Sequence, residues 1–268
     1  MLSCEGSTQG DNLAGTFDAL GTVPLQNSLR EHAPDVKQVW QADDAAGAGS
    51  IRNLKQWWDI IIREGQKYGY HVNESKSWLI LKDPTKRQLV DETFAGSAIK
   101  ITTEGKRHLG AALGSDGFRL EYASEKVEKW CGEIHKLAEI AKTQPQAAYS
   151  AFTHGERHRF AYFMRTIVGM SDVMQPLDDA INNELIPALL GSDVISKAER
   201  DMYSLPLRFG GLALPSFCDI ANEEYLTSKR LTAPLAAIMM LQGRDLPDRN
   251  VVKEIRSNVQ AKKRHYLN

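Results

Sequence analysis

The sequence predicts an α+β chain in two parts: a small antiparallel sheet packed on helices over residues 1–118, then an all-α region over 119–268. Three observations carry this expectation. An apolar-leaning run at 36–42 climbs to Asp43-Asp44, and Ala45-Ala46-Gly47-Ala48-Gly49 leads away again, which is the pattern of a β-hairpin with the two acids at its tip. Short runs at 77–82, 99–102 and 107–114 read as further strands. From Leu120 onward the apolar residues recur at helical spacing.

Composition narrows the function classes. The 268 residues suffice for one large domain or two smaller ones, and 42% apolar with 25% charged is ordinary globular usage. A net charge of −1 gives no global positive field, so any contact with nucleic acid must come from local basic patches. The three cysteines, Cys4, Cys131 and Cys218, are far apart and odd in number, which argues against a disulfide framework or a zinc site. They fit buried thiols in a reducing, intracellular compartment. No run has the length of a membrane span, and the first residues lack the basic and apolar regions of a secretory signal.

Taken in order, Glu5 to Ala14 reads as a polar, glycine-bearing loop, and helix-compatible sequence follows from about Leu13 to Arg30. Leu13, Phe17, Leu20, Val23 and Leu25 form its apolar stripe, and Pro24 kinks or shortens it. After the hairpin comes a strong helix over 50–68 with Ser50 as N-cap. Its Leu54, Trp57, Trp58, Ile61 and Ile62 fall on one face, more suited to a core than to stacking. A turn at Gly69 then feeds the strand at 77–82, with Lys76 standing just before it. Asp83-Pro84 opens a short helix. The strand at 99–102 is expected to pair with 107–114 as a hairpin, Leu109-Gly110 allowing a bend or close approach. The helical part reads as 120–143, 145–170 and a third helix after Asp172, followed by short helices near 196–204 and beyond Phe217. Between these last two lies the Pro- and Gly-punctuated connector 205–215, and residues 250–268 are rich in lysine and arginine.

The residues with most chemical content are Asp43 and Asp44. Adjacent carboxylates at a tight turn repel unless a cation lies beside them, and Mg²⁺ takes carboxylate and phosphate oxygens together. Such a hairpin suits metal-dependent phosphoryl transfer, although the dipeptide alone is most often a solvated turn. His154 and His158 have the i, i+4 spacing of a zinc pair, but Gly155 stands where the general-base glutamate would follow, so a solvated basic face is the better reading. Arg157, Arg159, Arg165 and the run Lys262-Lys263-Arg264-His265 are candidate phosphate contacts and equally plain charged surface. There is no Ser-His-Asp or Cys-His arrangement and no Gly-Lys-Ser/Thr phosphate loop.

Several spaced segments, in order, resemble the palm of retroelement reverse transcriptases. Gly6-Ser7-Thr8-Gln9-Gly10-Asp11-Asn12 resembles that family's Gln-Gly loop before a helix, and Gln41-Ala42-Asp43-Asp44 occupies the place of the aromatic-x-Asp-Asp signature. The segment from Gly69-Tyr70 to Lys76 is similar to the next palm motif, and Arg107-His108-Leu109-Gly110 to the primer-grip hairpin. The resemblance covers about residues 3–114, the helical remainder corresponding to a thumb and its extension.

The resemblance implies a partial polymerase palm over 1–118 and a thumb-like region over 119–268, with RNA template, DNA primer and dNTP as partners. Asp43 and Asp44 would bind Mg²⁺, and Lys76 would offset charge on the triphosphate. Gln9 and Gly10 would pack against template and nucleotide, while Leu109 and Gly110 would hold the primer end. The pattern also breaks. Only eight residues precede Gln9, so the family's fingers and the strand with its first metal-binding aspartate are expected to be missing. Gln41 stands where an aromatic is usual, and Asn12 where a proline is frequent. The expectation is polymerase ancestry without polymerisation by this chain alone, the alternative being a non-catalytic nucleic-acid-binding or scaffold remnant.

Overall fold

The computed structural model describes residues 12–192, 195–243 and 245–265, and these divide by contacts into two units. Gln9, Gly10, Cys4 and the side chains of the Lys262–His265 run lie outside the described residues. The first unit reaches to Thr102 and adds Pro234–Pro247; the second comprises Thr103–Ala233 and the residues from Asp248. The second unit therefore includes the 105–114 region that the sequence assigns to the first part.

In the first unit the elements are α1 (Ala14–His32), β1 (Lys37–Gln41), β2 (Asp44–Ala48), α2 (Ile51–Gly65), β3 (Trp78–Ile80), α3 (Arg87–Thr93) and β4 (Lys100–Thr102). The mixed α and β character agrees with the sequence, but among the described residues the strands do not join into one antiparallel sheet. The strands make separate two-stranded ladders: β1–β2 antiparallel and β3–β4 parallel. The sequence pairs the strand at 99–102, observed as β4, with 107–114 in a hairpin. It runs instead beside β3, which α3 and its flanking turns bring back into parallel register.

α2 is the centre of the first core. The Ser50 side chain caps it, accepting from the Asn53 N–H. Trp57, Trp58, Ile60 and Ile61 are buried with Leu25, Leu29, Leu79, Val90 and Phe94. At about 1.5–3 kcal/mol for each large apolar side chain withdrawn from water, this cluster is the main favourable contribution in the unit. α1 continues through Pro24, yet only Leu25 and Leu29 are buried on it. Of the expected stripe Leu25 is in the core, whereas Leu13 at 55%, Phe17 at 56%, Leu20 at 63% and Val23 at 44% are exposed and meet no core among the described residues.

The second unit begins with the antiparallel pair β5 (Gly105–His108) and β6 (Ala111–Gly114), followed by α4 (Asp116–Ala141). Then come α5 (Pro145–Ala151), α6 (Arg157–Thr166), α7 (Met170–Val173), α8 (Gln175–Ala180), α9 (Ile186–Leu190) and α10 (Lys197–Ser204). α11 (Phe217–Met240), whose residues from Pro234 onward belong to the first unit, and α12 (Arg249–His265) follow. The helix expected over 145–170 is interrupted by a π-turn at Phe152–Glu156, and another π-turn, Ile181–Leu185, joins α8 to α9. The core is aromatic: Trp130 lies 4.9 Å from both Phe160 and Phe163, and Phe160 is 5.3 Å from Phe217. The hairpin β5–β6 belongs here because β6 packs on α4 and α6, with Ala112 inside this core. Among the described residues no helix is long and apolar enough to cross a membrane.

Candidate functional site

The Asp-Asp hairpin is formed as the sequence suggests, with a tighter tip. Gln41 pairs with Asp44, so the loop is Ala42-Asp43 and Asp44 is the first residue of β2. Ala42 takes φ +50°, the left-handed region a two-residue hairpin loop requires. Asp43 and Asp44 are both exposed.

Behind the tip lies Tyr70. Its hydroxyl donates to the Asp43 carbonyl oxygen at 2.9 Å, and its ring meets Trp40 edge-on with centroids 5.1 Å apart. Gly65 makes this placement possible. A Cβ there would stand 2.6 Å from the Tyr70 carbonyl oxygen, while the Tyr70 N–H closes onto the Gly65 carbonyl at 2.9 Å. Burial, and then the Asp43 and Asp44 charges, push the Tyr70 phenol above its usual range, so it remains a neutral donor. Two of the segments singled out in the sequence thus meet at one contact.

Below Trp40, Gln38 is buried at 5% exposure and tied on three sides. Its Oε1 accepts from the Trp40 and Trp57 indole N–H groups at 2.9 and 3.4 Å, and its Nε2 donates to the Gln26 carbonyl at 3.0 Å. This hub fixes the stem of the hairpin against α1 and α2. Sequence reasoning missed it, though a glutamine on the same strand face as Trp40 was a signal.

Lys76 is exposed at the end of a short 3-10 turn, Glu74–Lys76, which the Asn73 side chain caps by accepting from the Lys76 N–H. Leu109 and Gly110 are in the second unit. They form the whole β5–β6 turn, with φ +48° and +83°, rather than a bend within one strand. Two tyrosines hold that turn: Tyr162 donates to the Leu109 carbonyl at 2.5 Å and Tyr122 to the Gly110 carbonyl at 3.3 Å. The Leu109 side chain is half exposed beside exposed Arg107.

The ligand set for Mg²⁺ is incomplete within the described residues. No group of three His, Cys, Asp or Glu converges there, so Asp43 and Asp44 by themselves do not make a two-metal seat. His154, the other metal candidate, is in the π-turn with its Nδ1 3.1 Å from the Ser150 carbonyl oxygen. The α6 arginines are occupied: Arg159 bridges Glu133 and Glu156, Arg165 meets Glu224 and Arg157 donates to the Ala213 carbonyl.

Comparison with protein-family models, curated proteins and solved structures finds no match to this chain.

Proposed function

We propose that this chain is a reverse-transcriptase-like protein of retroelement type, descended from an RNA-directed DNA polymerase, which keeps the Asp-Asp hairpin but does not polymerise with its own residues alone. One observation carries the reading: the Tyr70 hydroxyl on the Asp43 carbonyl joins the Asp-Asp hairpin to the Gly69–Lys76 segment. These are two of the ordered segments on which the resemblance rests, and contact between them is what a shared site requires. In-line nucleotidyl transfer needs both the attacking and the leaving oxygen held by metal, and among the described residues no third carboxylate joins Asp43 and Asp44 to supply that seat.

The test is primer extension by the purified chain on a homopolymer RNA template with Mg²⁺ and dNTP, beside binding to an RNA–DNA duplex across a salt series. The expected result is no extension, with duplex binding that weakens as salt rises. Extension abolished by Asp43→Ala would make the chain a working polymerase. Silence in both assays would remove nucleic acid from its function. The second reading, a non-catalytic nucleic-acid-binding protein, is favoured by exposed Arg107 on β5 and exposed Leu109 on the adjoining turn, which two tyrosines brace. It predicts that Arg107→Ala weakens duplex binding and reduces its salt dependence by about one phosphate contact.

A further inference from the structure

β1 has one open side. The closing pair Gln41–Asp44 sets the alternation, so Gln41, Val39 and Lys37 bond to β2 while Gln38 and Trp40 turn their backbone groups away from it. At Gln38 those outward groups are met by one side chain: its N–H donates to Gln242 Oε1 and its carbonyl accepts from Gln242 Nε2, both at 3.2 Å. A side-chain amide thus stands where a residue of a neighbouring strand would stand. At Trp40 the corresponding N–H and carbonyl make no hydrogen bond to a described residue.

This open side faces a cleft of about 330 Å³ lined by α1, β1 and the Met239–Gly243 stretch. Thr22, Gln26 and Arg30 of α1 line it, with Gln38 and Trp40 opposite. Arg30 Nε is buried and has no hydrogen-bond partner. A buried, unmet donor on a cation is costly unless an acceptor completes it, and a carboxylate is the group that fits a guanidinium best.

We propose that the cleft seats an added β-strand: an extended acidic peptide of a second protein, whose backbone pairs with Trp40 and whose carboxylate meets Arg30. Addition of a strand to an exposed edge gives affinity through main-chain bonds, and the pockets beside the edge give selectivity. The charge decides the occupant. A second copy pairing through its own β1 would bring Lys37, Gln38, Val39, Trp40 and Gln41, none of which is an acid for Arg30. The proposal does not rest on polymerase ancestry.

The experiment is fluorescence anisotropy of the full chain with two fluorescein-labelled hexapeptides, Val-Thr-Val-Asp-Val-Thr and Val-Thr-Asp-Val-Thr-Val, which cover both strand faces. At least one should bind saturably. Arg30→Met in the protein, or Asp to Asn in the peptide, should each weaken binding about tenfold, and the two together no further, since they remove the same pair. N-methylation at one alternate set of peptide amides should abolish binding, and at the other set leave it intact. Absence of saturable binding by either peptide, equal sensitivity of the two N-methyl sets, or indifference to both charge changes would overturn the proposal. A dimer by sedimentation that peptide does not dissociate would assign the edge to a second copy instead. Should Arg30→Met fail to fold, the Asn peptide still decides the charge question.

Discussion

The Tyr70 hydroxyl donates to the Asp43 carbonyl oxygen at 2.9 Å, tying the loop of the acidic hairpin to the segment that follows α2. The backbone of a loop that presents two exposed carboxylates is thus held by a neutral donor from behind. Tyr70→Phe removes this bond while keeping the ring on Trp40, so it should cost about 0.5–1.5 kcal/mol. Urea denaturation followed by circular dichroism measures it.

The same pair predicts a titration. In the fold the Tyr70 phenol is raised first by burial and then by Asp43 and Asp44. A raised phenol favours the protonated form in the folded state, so its contribution is complete below the ordinary tyrosine range and is lost as pH rises through the folded value. Asp43→Asn with Asp44→Asn should bring the phenol down, but not fully to the ordinary value, because burial remains. Ultraviolet difference absorbance during alkaline titration reads both.

Asp178 is buried and accepts from Ser216 Oγ at 2.8 Å and from the backbone N–H groups of Phe217 and Cys218 at 2.8 and 3.0 Å, capping α11 from another helix. Asp178→Ala leaves those donors unmet and should cost about 3 kcal/mol, with Asp178→Asn milder. The measurement is chemical denaturation of each variant.

Cys218, at the same helix start, has its thiol pushed up to about 12 by burial and then by Asp178. Its thiolate fraction near neutral pH is therefore minute, and alkylation should be far slower than for a free cysteine. Mass-spectrometric rates of iodoacetamide labelling in the folded protein and in urea check this; similar rates in the two states would contradict it.

The Leu109-Gly110 turn carries left-handed backbone at both positions. Leu109→Asn should stabilise the hairpin by about 0.5–1 kcal/mol, since asparagine tolerates that region better than leucine. Gly110→Ala should destabilise it, because φ +83° is strained for a residue with a Cβ, even though that Cβ would meet the Tyr162 ring at an ordinary 3.5 Å. Thermal unfolding of the two variants gives opposite signs.

On α1, the exposed and buried parts of the helix separate cleanly. Phe17→Gln and Leu20→Gln should change stability by no more than about 0.5 kcal/mol, whereas Leu29→Ala should cost about 2–5 kcal/mol through the cavity it leaves. Denaturation midpoints for the three variants test the division.

What could be read from the chain alone was short-range. Ser50 marked the start of α2, Asp43-Asp44 the hairpin turn to within one residue, and the helical recurrence of apolar residues from Leu120 the long helix α4. Each depends on residues a few positions apart, where capping, turn geometry and helical period act directly. Tertiary contact decided the rest. β4 pairs with β3 rather than with 107–114, because 105–114 closes on itself and docks on α4 and α6. Leu13, Phe17 and Leu20 carry a helical stripe that meets no described core, and Tyr70 gained its role only when Gly65 let it reach the Asp43 carbonyl. Periodicity marks which residues can be buried together; the partners that bury them come from distant parts of the chain.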